Sequence, residues 1–154
     1  MMIKGVHQMK VEKDRLTQLK RDAIQGFIKY IGMKAVSLSP GKFTTRLKLE
    51  KRHLQQDGFA HAGLLAAMAD HTAGYASFSL VPADRRILTM EYKISYFRPA
   101  AGDCLECTGH VIKAGRQVLF TQADVYAVKG KTKTLVARAM HTMTAVPADK
   151  MPRV

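Results

Sequence analysis

The sequence predicts an α+β fold: a curved antiparallel sheet wrapped around one long central helix, with an extra helix towards the N-terminus. Three observations carry this. Residues 61–78, HAGLLAAMADHTAGYASF, read as a helix rich in Ala and Gly whose only formally charged side chain is Asp70, and a helix that is apolar all round is usually buried. Strand-like runs come after it in hairpin succession, and short connections make such strands antiparallel. A sheet of this kind needs one face covered, and a single apolar helix is available to cover it.

Taken in chain order, residues 12–31 read as one amphipathic helix, with Leu16, Leu19, Ala23, Phe27, Ile28 and Ile31 at helical spacing and Gly32 as its stop. Residues 33–39 and 42–50 read as strands joined by Pro40-Gly41. The loop RHLQQDGFA leads into the apolar helix, taken as 60–78, whose small residues would let the sheet approach closely. In ILTMEYKISYF, strict alternation places Leu88, Met90, Tyr92, Ile94 and Tyr96 on one face and Thr89, Glu91, Lys93 and Ser95 on the other. Strands then run over 104–113, 117–128 and 132–146, with turns at Ala114-Gly115 and Gly130. One domain over 1–154 is expected, with 1–22 as a helical extension and 147–154 as a flexible tail. The fold leaves a sheet face and its edges for a second subunit to protect.

The chain has 154 residues, a net charge of +13 and a pI near 10.0. Residues 1–34 hold eight basic side chains against three acidic, and 110–154 hold eight against two, while the middle is nearly balanced. Such an excess suggests an anionic partner. The cations are scattered singly, and no aromatic-and-basic motif accompanies them, which argues against nucleic acid. No window approaches a membrane span, and no signal-peptide pattern opens the chain. With two cysteines, a reducing, cytoplasmic setting is expected. Cys104 and Cys107 form a lone C-x-x-C whose odd separation on a strand puts them on opposite faces, so no metal site is expected.

The chemistry gathers at the start of the apolar helix. Gln55-Gln-Asp-Gly58-Phe-Ala-His61-Ala62-Gly63 is a Gly-containing turn opening a helix, which presents unpaired N–H groups backed by the helix dipole. Such a place suits an anion, or an oxygen that becomes anionic during acyl transfer. Asp70 lies about two turns further on. It is either a structural acid in an interface or, facing a cleft, a general base or nucleophile. His61 at the helix start favours local hydrogen bonds, and His71 reads as packing or interface.

These residues resemble the PaaI-type hotdog-fold acyl-CoA thioesterases, whose signature runs roughly N-x-x-G-x-x-H-G-G with an acid further along the helix. The likeness runs from residue 23 to about 146 and includes the Tyr96–Gly102 segment YFRPAAG and the closing LVARA. It implies that Gln55 takes the amide position and that the Ala62 N–H is the oxyanion donor. Gly63 matches the second glycine, Asp70 the catalytic acid, and Thr89 a hydroxyl that positions water. Gly58 and His61 would line the substrate site, and Arg98, Lys113 and Arg116 would meet coenzyme A phosphates. It also implies a homodimer or homotetramer with the active site at the subunit interface, acyl-CoA as substrate, and no cofactor. Gln55 and Ala62 depart from the family's Asn and Gly. The alternative is a non-catalytic acyl-CoA-binding protein of the same fold, a sensor or regulator.

Overall fold

A computed structural model describes residues 13–151. Helices α1 (Lys13–Asp22) and α2 (Gly26–Tyr30) precede strands β1 (Met33–Ser39) and β2 (Lys42–Lys48). Helix α3 (Ala62–Phe78) comes next, then β3 (Arg85–Tyr96), β4 (Cys104–Ala114), β5 (Val118–Lys129) and β6 (Thr132–Pro147). The strands form one six-stranded sheet in the order β1-β2-β4-β5-β6-β3, antiparallel at every pairing. Helix α3 packs on one face of it. This is the expected architecture, and among the described residues no helix is long and apolar enough to cross a membrane.

The single helix expected over 12–31 is two helices, residue 12 lying outside the described residues. Gln25 is extended and Gly26 takes φ +49°, so the chain turns between Asp22 and Gly26. The two halves serve different packing sites. Ala23 is buried against Phe43 and Ala76, whereas Ile28 and Ile31 join the main core around α3. A straight helix could not reach both, and Phe27, counted in the apolar stripe, is 60% exposed. The His71 ring ties α3 to this turn through a 2.8 Å hydrogen bond between Nε2 and the Ala23 carbonyl. Pro147 still pairs with Arg85, and Ala148–Lys150 form a 3-10 turn held by a bond from the Ala148 N–H to the Asp84 carbonyl; of the tail expected over 147–154, residues 152–154 lie outside the described residues.

The inner face of α3 is Leu64, Leu65, Met68, Ala69, Thr72, Ala73, Ala76 and Ser77. It meets alternating inward residues of the sheet, among them Phe43, Leu47, Leu105, Leu119 and Val125, all essentially inaccessible. Buried hydroxyls are paired across this interface, Thr45 with Thr72 at 2.8 Å and Ser77 with Thr121 at 2.7 Å, which removes the cost of burying them. Close approach does depend on the alanines of α3, but not on its glycines. A Cβ on Gly74 would meet nothing within 4 Å, and one on Gly63 would touch only the His61 ring. The glycine that brings the layers together is Gly109 on β4, where a Cβ would stand 2.9 Å from the Thr72 carbonyl oxygen and 3.0 Å from the Ala73 nitrogen.

Strand β3 is an edge, paired only with β6. A β-bulge lies between Thr89 and Glu91: Thr89 opposes Met143 and Glu91 opposes Thr142, so Met90 is the extra residue. Strict alternation therefore fails there. Ile87, Thr89, Tyr92, Ile94 and Tyr96 stand opposite the buried β6 residues Ala145, Met143, His141, Ala139 and Ala137, on the helix side. Leu88 faces outward with Glu91, Lys93 and Ser95. The outer face carries ion pairs, Arg46 and Lys133 with Glu106 and Arg138 with Asp124, which engage several of the excess cations.

Candidate active site

The loop before α3 is built on a turn in which the Gly58 N–H bonds to the Gln55 carbonyl at 3.1 Å, with Gly58 at φ +84°. That φ is one that residues with a Cβ rarely adopt. The Gln55 side-chain carbonyl accepts the Asp57 N–H, which leaves its amide –NH2 as the free end. Two backbone bonds pin the run into the helix, Ala60 N–H to the Ala100 carbonyl at 2.8 Å and His61 N–H to the His53 carbonyl at 2.9 Å. His53 is itself buried, its ring bonded to the Glu50 N–H and the Ile31 carbonyl.

His61 is the N-cap of α3: its Nδ1 accepts the Gly63 N–H at 2.9 Å. An accepting Nδ1 is unprotonated, so the ring proton is on Nε2. One helix N–H is thereby used up and the adjacent one is left. Among the described residues the Ala62 N–H donates to nothing, while the Ala62 carbonyl accepts the Tyr96 hydroxyl at 3.1 Å. Burial, then the neighbouring Tyr92, raises the Tyr96 pKa, so that hydroxyl stays a donor. These groups border a cleft of about 530 Å³ whose walls include Gln55, Phe59, His61, Leu65, Phe97 and Arg98.

Asp70 stands elsewhere. Its Oδ1 accepts the Thr89 hydroxyl at 2.7 Å, the hydroxyl also lying 3.3 Å from the Met143 sulfur. The carboxyl side chain is 38% exposed, so the acid that its helix predicted to be buried is half-buried within one chain. Thr89 reaches it because the bulge at Met90 turns Thr89 to the helix side. Sequence reasoning overlooked a third neighbour. His141 on β6 has its Nε2 3.9 Å from Asp70 Oδ1; its side chain is wholly buried and neither ring nitrogen meets a hydrogen-bond partner. Burial pushes its pKa down, outweighing the pull of Asp70 and of the Thr121 backbone, so the ring is neutral. Leaving such groups unpaired costs about 1–3 kcal/mol each. The signal was available, because alternation through LVARAMHTMTAV sets His141 on the same face as Ala137, Ala139 and Met143.

The structure thus gathers the expected residues into two groups, not one. Gln55, His61, Ala62 and Arg98 line the cleft, with Gly58 and Gly63 beside them in the chain but not in its wall, while Asp70, bonded to Thr89, lies eight helical residues from Ala62, about 12 Å along the axis. Lys113 and Arg116 belong to the second group's end of the sheet, since the β4–β5 hairpin sits beside Met143 through Leu119 and beside Ala145 through Gln117. Arg98 is at the opposite end, next to the Phe97–Val136 bond. Cys107 is buried between Thr45 and Val125 with its thiol pushed up to about 12, which makes it inert. Among the described residues no three His, Cys, Asp or Glu side chains converge as metal ligands.

The thioesterase superfamily family model matches residues 57–134, from the turn at Gly58 through α3 and Thr89 to the start of β6. The chain belongs to the thioesterase superfamily. Within it, human acyl-coenzyme A thioesterase 13 is 31% identical over 110 residues, 70% of this chain and 75% of that one. A thioesterase family protein from Silicibacter pomeroyi superposes with a TM-score of 0.83 at 29% identity, covering 86% of this chain and 98% of the other. A point mutant of the phenylacetic acid degradation protein PaaI from Thermus thermophilus gives 0.67 at 26% identity over 77% and 96%. The architecture is the PaaI-type hotdog fold of this superfamily.

Proposed function

We propose that the protein hydrolyses acyl-CoA thioesters to the free acid and CoA, in a site assembled between two copies of the chain. The observation that carries this reading is the placement of the two groups at opposite ends of β3, whose outer edge has no partner among the described residues. Tyr96, bonded to Ala62, is seven residues from Thr89, bonded to Asp70. If β3 pairs antiparallel with β3 of a second copy about a two-fold axis near Tyr92 and Lys93, each Ala62 end meets the other copy's Asp70 end. The same pairing brings Arg98 of one copy towards Lys113 and Arg116 of the other, a cationic rim suited to CoA phosphates.

In this site the Ala62 N–H and the positive end of α3 stabilise the thioester oxyanion. The Gln55 amide –NH2 orients the carbonyl or the thiolate. Asp70, held by Thr89, takes a proton from the attacking water, and the C–S bond breaks to release the thiolate, which recovers that proton as CoA thiol. Direct attack by Asp70, through an anhydride that water then opens, uses the same groups. The Cβ of Ala62 does not remove the N–H, so the change from the family's Gly leaves the donor in place.

Thiol release from short, medium, long and aromatic acyl-CoAs tests this, comparing the wild type with Asp70→Asn. Loss of a general base corresponds to roughly 10²–10⁴-fold in turnover, with binding retained. Saturable binding without turnover by the wild type would instead identify an acyl-CoA-binding protein.

A further inference from the structure

We propose that His141 is a positioning residue for Asp70: together with the Thr89 hydroxyl it anchors Oδ1, leaving Oδ2 as the oxygen that meets the water or the thioester. This rests on the reading of Asp70 as the catalytic acid. Among the described residues, both side-chain approaches to the carboxylate are to Oδ1, Thr89 Oγ1 at 2.7 Å and His141 Nε2 at 3.9 Å. The imidazole is seated directly opposite Tyr92 on β3 and Thr121 on β5, its ring centroid 5.2 Å from that of Tyr92. The ionisable groups facing it are Asp70 from α3 and Tyr92 from β3; β5 presents the uncharged Thr121.

A neutral imidazole has one N–H. Placed on Nδ1, it would turn the Nε2 lone pair towards a carboxylate; placed on Nε2, it becomes a donor to it. The gap is about 1 Å longer than a hydrogen bond. A small rotation of either side chain closes it, and such bonds commonly tighten when substrate expels water. The Thr121 backbone is the ring's other polar neighbour and the competitor for that proton, although neither ring nitrogen is hydrogen-bonded among the described residues.

Three variants and one spectrum test this with acyl-CoA as substrate. His141→Phe keeps the ring volume against Tyr92 and removes the donor. We expect kcat to fall about tenfold or more with KM within twofold, and the acid limb of the pH–rate profile to move to higher pH. His141→Gln, which keeps a donor near Nε2, should restore both to within about threefold. In an Asp70→Asn background, His141→Phe should add nothing further. Equal losses in the Phe and Gln variants with an unmoved acid limb, or a full additional loss in the Asp70→Asn background, overturns the proposal. If His141→Phe does not fold, the wild-type ¹⁵N spectrum decides: an Nε2–H tautomer supports the proposal and an Nδ1–H tautomer overturns it. Full turnover by Asp70→Asn alone would instead reject the reading of the site, whatever His141 does.

Discussion

Ala62→Pro isolates one atom of the proposed chemistry. Proline deletes the N–H assigned to the oxyanion and changes little else at this position. Ala62 is the first residue of α3, where proline is well tolerated because the N–H has no intrahelical acceptor. The residue before a proline must be extended, and His61 already is, at φ −62° and ψ 136°. The Ala62 N–H has no partner to lose, and its carbonyl can still accept the Tyr96 hydroxyl. Folding stability should therefore change by no more than a few tenths of a kcal/mol, or rise slightly because proline restricts the unfolded chain. Removing one oxyanion-hole donor costs about 2.7–4 kcal/mol of transition-state stabilisation, or 10²–10³ in kcat. The assay is thiol release alongside a thermal melt, with Ala62→Gly, which keeps the N–H, as control. A proline variant with a native melt and native turnover would refute the assignment of the oxyanion donor.

Three further outcomes are expected. Thr89→Val, which keeps shape but loses the hydroxyl on Asp70, should cost about 1–2 kcal/mol, or 5–30-fold in kcat, with the lower range reflecting the exposure of Asp70; Thr89→Ser should stay within about threefold of wild type. Gly109→Ala should lower unfolding stability by about 1–3 kcal/mol in urea titrations, because its Cβ meets the backbone of Thr72 and Ala73, which cannot move aside as a flexible side chain would. Burial holds His71 below its ordinary pKa. The unfolded chain therefore binds its proton first, and stability falls as pH drops through about 6.5 towards the lower folded value. His71→Gln, which can retain a donor to the Ala23 carbonyl, should flatten the loss of urea midpoint between about pH 7.5 and 5.5; an unchanged slope would show that other groups carry it.

The central helix and the antiparallel sheet were legible in the chain alone, because periodicity and turn chemistry are local; the hairpin succession holds for β4, β5 and β6 but not for β3, which pairs with β6 at the far edge instead of with β4. The Gly58 turn was legible from its turn chemistry and Asp70 as the one charged side chain of its helix, whereas Ala62 was singled out by the resemblance to the family motif. Other features came from packing. Helix 12–31 breaks at Gly26 because Ala23 and Ile28 bury in separate clusters, a fact about where the sheet lies and not about the helix. The close approach of the layers belongs to Gly109, on a strand that only pairing brings under Thr72. Most consequential is the extra residue at Met90. Alternation would send Thr89 to the face of Glu91, away from the helix, whereas the bulge turns it onto Asp70. A bulge is defined by two strands in register, so no pattern within β3 could announce it. His141 lies on the inner face by simple alternation, but its placement beside Asp70 depends on how β6 and α3 pack together. Contacts of this kind join residues that are close in space and remote in sequence, and that separation divides what could be read from what had to be seen.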